Sequence, residues 1–200
     1  MSTPTDEQLL AEHLAGKPEP FATLVHRYSD ELFRFLARFT GNAAMAEDLI
    51  QEVFLQIHQS GASFDTSRRF KPWLFTIAAN KARDLLRSKR RRPEMPLDAE
   101  VAGVSGEGEE KRTFLDFLAD ESQSPVAASS LEEQRENVRR VLSEMPERLR
   151  EVLVLSYYHG FPYKEIAEIL GVPLGTVKSR LHSAIEHFGR SYRAAVKERV

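Results

Sequence analysis

The chain has 200 residues, 42% of them apolar, and a formal net charge of -2, which suits one domain or two small ones with apolar cores. It contains no cysteine, so disulfides, thiolate nucleophiles and cysteine-based zinc sites are excluded. No apolar run approaches the roughly 18 residues of a membrane span, and the first residues lack the pattern of a signal peptide, so we expect a cytoplasmic protein with no direct membrane insertion.

Residues 6–92 show helical periodicity and no alternating strand pattern of useful length. The motif Thr5-Asp6-Glu7-Gln8 has the spacing of a capping box, and Pro20 and Pro72 suit the first turns of helices. Gly41 with Asn42 separates two amphipathic runs. The sequence therefore predicts helices near residues 6–15, 20–39, 43–59 and 71–91.

The helix predicted at 43–59 has an apolar face and an opposite polar face with one apolar residue in it. Leu55 shares that polar face with Asp48, Gln51 and Glu52. An apolar centre with a charged rim is typical of a protein contact, although a lone exposed leucine is also common. Asp48 and Glu52 are four residues apart, but no histidine-bearing motif accompanies them, so we predict no metal site.

Positive charge is concentrated between Arg68 and Arg92, where ten Lys/Arg face one acid and the local charge is +9. Such an excess is typical of a nucleic-acid partner, because each neutralised phosphate releases condensed counterions. A stripe opposite the apolar face of this helix carries aromatic, amide and guanidinium groups, which suit a separated strand: Trp73, Ile77, Asn80, Asp84, Arg87 and Arg91. The alternative is that Trp73 and Ile77 pack beneath another helix.

Residues 93–130 carry nine acids and two bases, interrupted by proline and glycine, which predicts a flexible acidic linker. Within it, residues 113–118 have the composition of a short apolar turn. A second capping box at Ser130-Leu131-Glu132-Glu133 opens another helical block. The block predicts helices near residues 131–144, 146–159, 162–170 and 173–190.

The last two of these helices have the pattern of a helix-turn-helix. Gly171 allows a left-handed turn between them, and Val177 and Leu181 begin the apolar face of the second helix. Short or basic residues face the other way in its first half, where a recognition helix meets base edges. Arg180 lies at the border of the two faces, so we assign it to a phosphate contact or an intramolecular ion pair. An ordinary helical hairpin with a solvated polar face remains the alternative.

In chain order, these segments resemble the two conserved regions of extracytoplasmic-function sigma factors of the sigma-70 family. Residues 46–54 resemble the helix that grips the clamp of core RNA polymerase. Residues 70–80, continuing to Asp84 and Arg87, are similar to the segment that melts and reads the -10 element. Residues 142–188, with the runs KEIA and GTVKSRL, resemble the reader of the -35 element.

The resemblance implies an all-α protein of two small helical domains joined by a flexible acidic linker. Residues 6–92 would form the sigma region 2 helical bundle, residues 93–130 the linker, and residues 131–195 the sigma region 4 helix-turn-helix domain. The implied function is that of an RNA polymerase sigma factor, which directs promoter-specific transcription initiation. Its partners would be core RNA polymerase, through the β′ clamp and β flap, promoter DNA and an anti-sigma factor, with no cofactor.

The resemblance also implies three groups of site residues. Core polymerase would be bound by Asp48, Gln51, Glu52 and Leu55. The -10 element would be bound by Phe64, Asp65, Lys71, Trp73, Asn80, Arg83 and Arg87. The -35 element would be bound by Thr176, Lys178, Ser179, Arg180, His182 and Ser183. Ser183 stands where many relatives carry arginine, which leaves the -35 sequence preference open.

Other classes of function fit the sequence less well. A stand-alone helix-turn-helix transcription regulator would need neither the acidic linker nor the Trp73 and Asn80 stripe. An interaction protein acting as a decoy for a sigma antagonist would tolerate loss of Lys178 and Arg180. No carboxylate pair, catalytic triad or phosphate loop rises above chance, so we expect no enzymatic activity and no catalytic residues.

Overall fold

The computed structural model describes residues 3–91 and 128–197 of the chain. The chain divides into two compact units. Helices α1 to α4 lie in the first unit, and most of residues 128–197 form the second. All regular structure within the described residues is helical, which confirms the predicted all-α class. The predicted acidic linker, its apolar turn at 113–118 and Arg92 lie outside the described residues.

The first unit is built from four helices: α1 (Asp6–Leu14), α2 (Glu19–Thr40), α3 (Ala43–Ser60) and α4 (Phe70–Arg91). A short 3-10 turn, Gly61–Ser63, follows α3. Every predicted boundary in this unit lies within one residue of the observed one. The agreement follows from strong local signals at the helix ends, where side chains or glycines satisfy the unpaired backbone groups.

Two of these signals are visible as hydrogen bonds or dihedral angles. Thr5 Oγ1 accepts from the backbone N–H of Gln8 at 3.2 Å, and Gln8 Oε1 accepts from the Thr5 N–H at 2.9 Å, which confirms the capping box. Gly41 ends α2 in the left-handed conformation with φ 74°, as glycine does at this position without strain. Asn42 Oδ1 then accepts from Met45 N–H at 2.9 Å and begins α3.

The core of the first unit is rich in phenylalanine. The Phe35 ring lies 5.7 Å from that of Phe39 and 5.2 Å from that of Phe75, and all three side chains are fully buried. Helix α4 packs against α1, α2 and α3. A helix held on three sides buries more than one stripe, and Ile77 is accordingly only 6% exposed. Of the two alternatives for Ile77, packing beneath a neighbouring helix is therefore confirmed, and a place in the outward stripe is not.

The second unit contains α5 (Ala128–Glu144), α6 (Glu147–Leu153), most of α7 (Tyr163–Leu170) and α8 (Leu174–Lys197). A π-helical turn, Val154–Tyr158, continues α6. Ser130 lies inside α5 instead of before it, so the predicted capping box is wrong; Ala128 is a strong helix former and extends the helix backwards. Helix α8 runs past the predicted end at residue 190, where Phe188 and Tyr192 stack at 5.8 Å.

Arg150 connects the first two helices of this unit from a buried position, since it is 6% exposed. Its Nη1 donates to the carbonyl oxygens of Leu142 at 3.2 Å and Ser143 at 3.0 Å, near the end of α5. Carbonyls at a helix end have no partner within the helix, and a cation there also complements the helix dipole. Arg150 therefore fixes α6 against the end of α5.

Candidate nucleic-acid interface

Helix α4 presents a polar and cationic face to solvent. Asn80 and Arg87 are exposed and Arg83 is half-buried. Arg83 Nη2 donates to Asn80 Oδ1 at 2.7 Å, and Arg83 Nε donates to the Ala79 carbonyl at 3.2 Å. The amide oxygen of Asn80 is thus held by a guanidinium, which orients the amide group. This arrangement can offer N–H donors and positive charge to a nucleic-acid strand.

Trp73 lies one turn into α4 and is half-buried. Its ring centroid is 4.7 Å from that of Phe64 and 5.9 Å from that of Phe70. The structure therefore supports part of each alternative for Trp73: the ring rests on neighbours, yet part of its surface reaches solvent. Aromatic contacts of this kind hold a ring in a fixed orientation.

Phe64 is only 8% exposed. Its ring packs edge-on against Phe70, with centroids 6.1 Å apart, as well as against Trp73. In this position the Phe64 side chain packs against the Trp73 ring and does not face solvent. Its burial does not favour the predicted direct contact between Phe64 and a -10 base.

Asp65 organises the loop that leads into α4. Its Oδ1 accepts from the Ser67 N–H at 3.0 Å and from the Ser67 hydroxyl at 2.7 Å, and Arg68 lies 3.6 Å from Oδ2. The hydrogen bond from the Ser67 hydroxyl, followed by that from its backbone, lowers the pKa of Asp65. Asp65 is exposed, so this turn displays an ionised carboxylate beside the cationic face.

Several cations of the basic segment are paired within the unit. Lys71 Nζ lies 2.7 Å from Glu31 Oε1, and Lys81 Nζ lies 3.0 Å from Glu52 Oε2. Pairing lowers the local positive potential relative to the sequence count of +9. The side chains of Arg90 and Arg91 lie outside what the structure describes.

The polar face of α3 carries the residues predicted to contact a partner protein. Leu55 is 55% exposed, and Asp48, Gln51 and Glu52 are all exposed around it. A surface groove of about 320 Å³ lies between α3 and α4. Leu55 is the apolar residue of its lining, and the polar residues of the lining are Glu52, Gln56, Gln59 and Lys81. A leucine with a charged rim beside a groove can seat an apolar side chain of a partner protein.

The helix-turn-helix is formed by α7 and α8 with Gly171 at φ 64° between them. Val177, Leu181, Ala184 and Phe188 are buried on the inner face of α8, as predicted. The outer face bears four exposed side chains, namely Lys178, Ser179, His182 and Ser183, while Thr176 is half-buried. His182 Nε2 lies 3.4 Å from Glu186 Oε1. Short polar and cationic groups at the start of such a helix can reach base edges in a major groove.

Arg180 differs from these neighbours because it faces α6. Its Nη1 lies 3.1 Å from Glu151 Oε1, and the Arg180 side chain is 22% exposed against 3% for Glu151. The predicted intramolecular ion pair is therefore confirmed. The pair joins the second helix of the motif to the scaffold behind it, and Arg180 sits at the edge of the outer face.

Sequence reasoning missed two acidic residues that organise these surfaces. Glu151 is the partner of Arg180, 29 residues earlier, and Glu7 accepts a hydrogen bond from the Phe70 N–H at 2.8 Å. Neither pairing has a local sequence signal, because each depends on how distant helices pack. Among the described residues, no helix is long and apolar enough to cross a membrane, and no cluster of three or more potential metal ligands occurs in the same part of the chain.

Two family models match separate parts of the chain. The model of Sigma-70 region 2 matches residues 24–92, and that of Sigma-70, region 4 matches residues 135–188. The ECF RNA polymerase sigma factor SigW of Bacillus subtilis is 36% identical over 178 residues, covering 89% of this chain and 91% of that protein. The ECF RNA polymerase sigma-E factor of Escherichia coli K12 is 32% identical over 187 residues, covering 93% and 94%.

Solved structures share the fold. CnrH, in complex with the cytosolic domain of CnrY, superposes with a TM-score of 0.66 at 25% identity over 96% of this chain and 99% of that chain. The sigma factor RpoE of Bartonella quintana, with the anti-sigma factor NepR, gives a TM-score of 0.63 at 21% identity over 86% and 96%. From the helix-turn-helix, the matches to both family models and the relatives spanning nearly the whole chain, we conclude that the chain belongs to the extracytoplasmic-function group of the sigma-70 family and is an RNA polymerase sigma factor.

Proposed function

We propose that the chain brings core RNA polymerase to promoters by dividing three contacts between its two units. Residues 6–92 bind core polymerase and the opened -10 strand, and residues 131–195 bind the -35 duplex, with residues 93–130 as the acidic connection. Bond making belongs to the polymerase, so the chain acts without catalytic residues. It acts in the cytoplasm.

The exposed faces of α4 and α8 carry this proposal. On α4, the amide of Asn80 is oriented by Arg83 beside the half-buried Trp73 ring, and Arg87 is exposed. A strand leaving a duplex loses stacking and pairing, and these groups supply a ring, donors and phosphate contacts in return. On α8, Lys178 and His182 are exposed on one short polar face that suits duplex DNA.

The individual roles follow from position. Trp73, Asn80, Arg83 and Arg87 engage the -10 strand, Lys71 adds positive charge, Asp65 shapes the entry loop, and Phe64 supports Trp73. Thr176, Lys178, Ser179, His182 and Ser183 face the -35 duplex. Arg180 contacts a phosphate from its ion pair with Glu151, because a guanidinium has donors enough for two partners.

Core polymerase binds the polar face of α3. Leu55 is the apolar centre, and Asp48, Gln51 and Glu52 form the rim. The β′ clamp is the partner of this face, and the β flap is the partner of the second unit. An anti-sigma factor covers these surfaces when the chain is inactive; the structure of Bartonella quintana RpoE with NepR shows that such a complex exists for that protein.

The proposal is tested by in vitro transcription with core polymerase, with and without the chain, on promoter templates and on unrelated DNA. We expect initiation at defined promoters only when the chain is added. Tight duplex binding by the chain with no effect on initiation would instead support a stand-alone helix-turn-helix regulator and contradict the proposal.

The polymerase contact is tested with Leu55→Asp, which places a charge at the centre of the α3 face. Leu14→Asp in α1 is the matched control, because Leu14 is 43% exposed, Leu55 is 55% exposed, and Leu14 lies outside the polar face of α3. We expect Leu55→Asp to weaken core association by about tenfold or more, as loss of an interface anchor does, while the control stays near wild type. An equal effect of both changes would remove Leu55 from the interface.

A further inference from the structure

Helix α1 precedes the stretch that matches the family model of region 2, which begins at residue 24. Its first turn nevertheless contacts the start of α4. Glu7 Oε1 accepts from the N–H of Phe70, the first residue of α4, at 2.8 Å. The first N–H groups of a helix have no partner within it and carry partial positive charge. Glu7 therefore caps α4 across 63 residues of sequence.

The turn that Glu7 caps positions the aromatic side chains that surround Phe70. The Phe70 ring lies 5.9 Å from Trp73, 6.1 Å from Phe64 and 5.7 Å from Tyr28. Trp73 stands three residues after Phe70 and about one turn along the same helix. A shift of the first turn of α4 moves Phe70 and Trp73 together, so the cap fixes where the half-buried ring lies.

Glu7 is itself held in place. The capping box at Thr5 fixes the first turn of α1, and the neighbouring Asp6 is paired with Arg27 and accepts from the Tyr28 hydroxyl. Burial acts to raise the pKa of Glu7, but hydrogen bonds from Phe70 and Thr5 and the charge of Arg69 outweigh it and lower the pKa. The cap is therefore an ionised carboxylate at neutral pH.

We propose that Glu7 is a positioning residue for promoter melting: it holds the amino terminus of α4, and with it Trp73, in the orientation that receives the opened -10 strand. Glu7 contacts no DNA in this role. The inference rests on the function proposed for α4 and extends it to a helix that precedes the family match.

The test compares duplex and pre-opened promoters with the assembled holoenzyme. Glu7→Ala removes the cap, and Glu7→Gln keeps an oxygen acceptor but removes the charge. Glu12→Ala is the control on the same helix, because Glu12 pairs with the exposed Lys17. The readouts are core affinity and the rate of open-complex formation on the duplex and on a template whose -10 strands are mismatched.

On the duplex, we expect Glu7→Ala to slow open-complex formation by about tenfold and Glu7→Gln by about threefold, the effect of losing or weakening a charge-assisted hydrogen bond. On the mismatched template, the Glu7 variants should lose no more than about twofold, because the strands are already separated and only their capture by α4 depends on the cap. The core affinity of each variant and all rates of Glu12→Ala should equal those of wild type.

Equal losses on both templates would overturn the proposal, since they would show a general structural role. Wild-type rates for Glu7→Ala on the duplex would overturn it as well. If Glu7→Ala unfolds and therefore loses core affinity, Glu7→Gln is the deciding variant. A wild-type rate of open-complex formation by Glu7→Gln on the duplex then overturns the proposal. Failure of the wild-type chain on both templates would instead contradict the function proposed for the whole chain.

Discussion

At the scale of single residues, the solvent-facing side of α4 carries side chains that neighbouring residues hold in place but that still reach solvent. Trp73 rests on Phe64 and Phe70, and Asn80 is held through its oxygen by Arg83. Each group that would receive the strand is thus oriented before the strand arrives. Such preorganisation reduces the conformational entropy lost on binding.

Asn80→Ala tests this residue directly. A base-specific amide contact contributes about 1–3 kcal/mol, so we expect open-complex formation to slow by about tenfold or more while closed-complex affinity stays unchanged. Closed and open complexes are separated by competitor challenge and by reactivity of unpaired thymines. Ser88→Ala, an exposed change on the same helix, is the control. Equal loss in both complexes would reject the role of Asn80 on the melted strand.

At the scale of elements, an ion pair between Arg180 and Glu151 links α8 to α6. The carboxylate is 3% exposed and the guanidinium 22% exposed. A charged hydrogen bond with so little solvent around one partner is stronger than an exposed pair. It also ties the outer face of α8 to α6, which Arg150 fixes against α5.

A double-mutant cycle measures how strongly Arg180 and Glu151 stabilise each other. Glu151→Gln, Arg180→Gln and the double variant should give a coupling energy of about 1–3 kcal/mol in urea unfolding. Each single change should also weaken binding to a promoter with a -35 element. Additive effects on unfolding would show that the two side chains do not stabilise each other. The same cycle between His182 and Glu186 is the control, since that pair is exposed and should couple weakly.

The helix boundaries of the first unit were predictable because the residues that end helices act locally. Thr5 and Asn42 accept hydrogen bonds from backbone N–H groups three residues later, and the Gly41 N–H donates to the carbonyl of Ala37, four residues earlier. The pairings of Glu7 with Phe70 and of Glu151 with Arg180 were not predictable, because they join residues 63 and 29 positions apart. The burial of Ile77 stayed one of two alternatives for a related reason: an angular pattern gives a direction but not the neighbours found there.

At the scale of the whole molecule, opposite charges are separated along the sequence. The segment from residue 68 to 92 carries +9, residues 93–130 carry -7, and the chain as a whole carries -2. A nearly neutral protein has little long-range attraction for DNA, so we expect the chain alone to bind duplexes weakly and to depend on polymerase for promoter binding.

Neutralising the nine acids of residues 93–130 to Asn or Gln tests this expectation by changing the net charge from -2 to +7. Affinity of the isolated chain for promoter and unrelated duplexes should rise together, with a steeper dependence on salt. Fluorescence anisotropy at about 50 and 200 mM salt measures both. The control is a linker that keeps the nine acids and all other residues of the wild-type linker in shuffled order. Unchanged affinity after neutralisation would show that the acids do not limit DNA binding.

The π-helical turn Val154–Tyr158 gives the second unit a place that tolerates a change in chain length. Such a turn accommodates one residue more than a regular α-helix. Because the wider turn absorbs the extra residue locally, the chain after it keeps the direction it would have after a regular helix one residue shorter. Deleting one residue from the turn is therefore expected to leave Arg180 opposite Glu151. Evolutionary gain or loss of a residue in this helix is expected to fall in the turn, which carries no base-reading side chain.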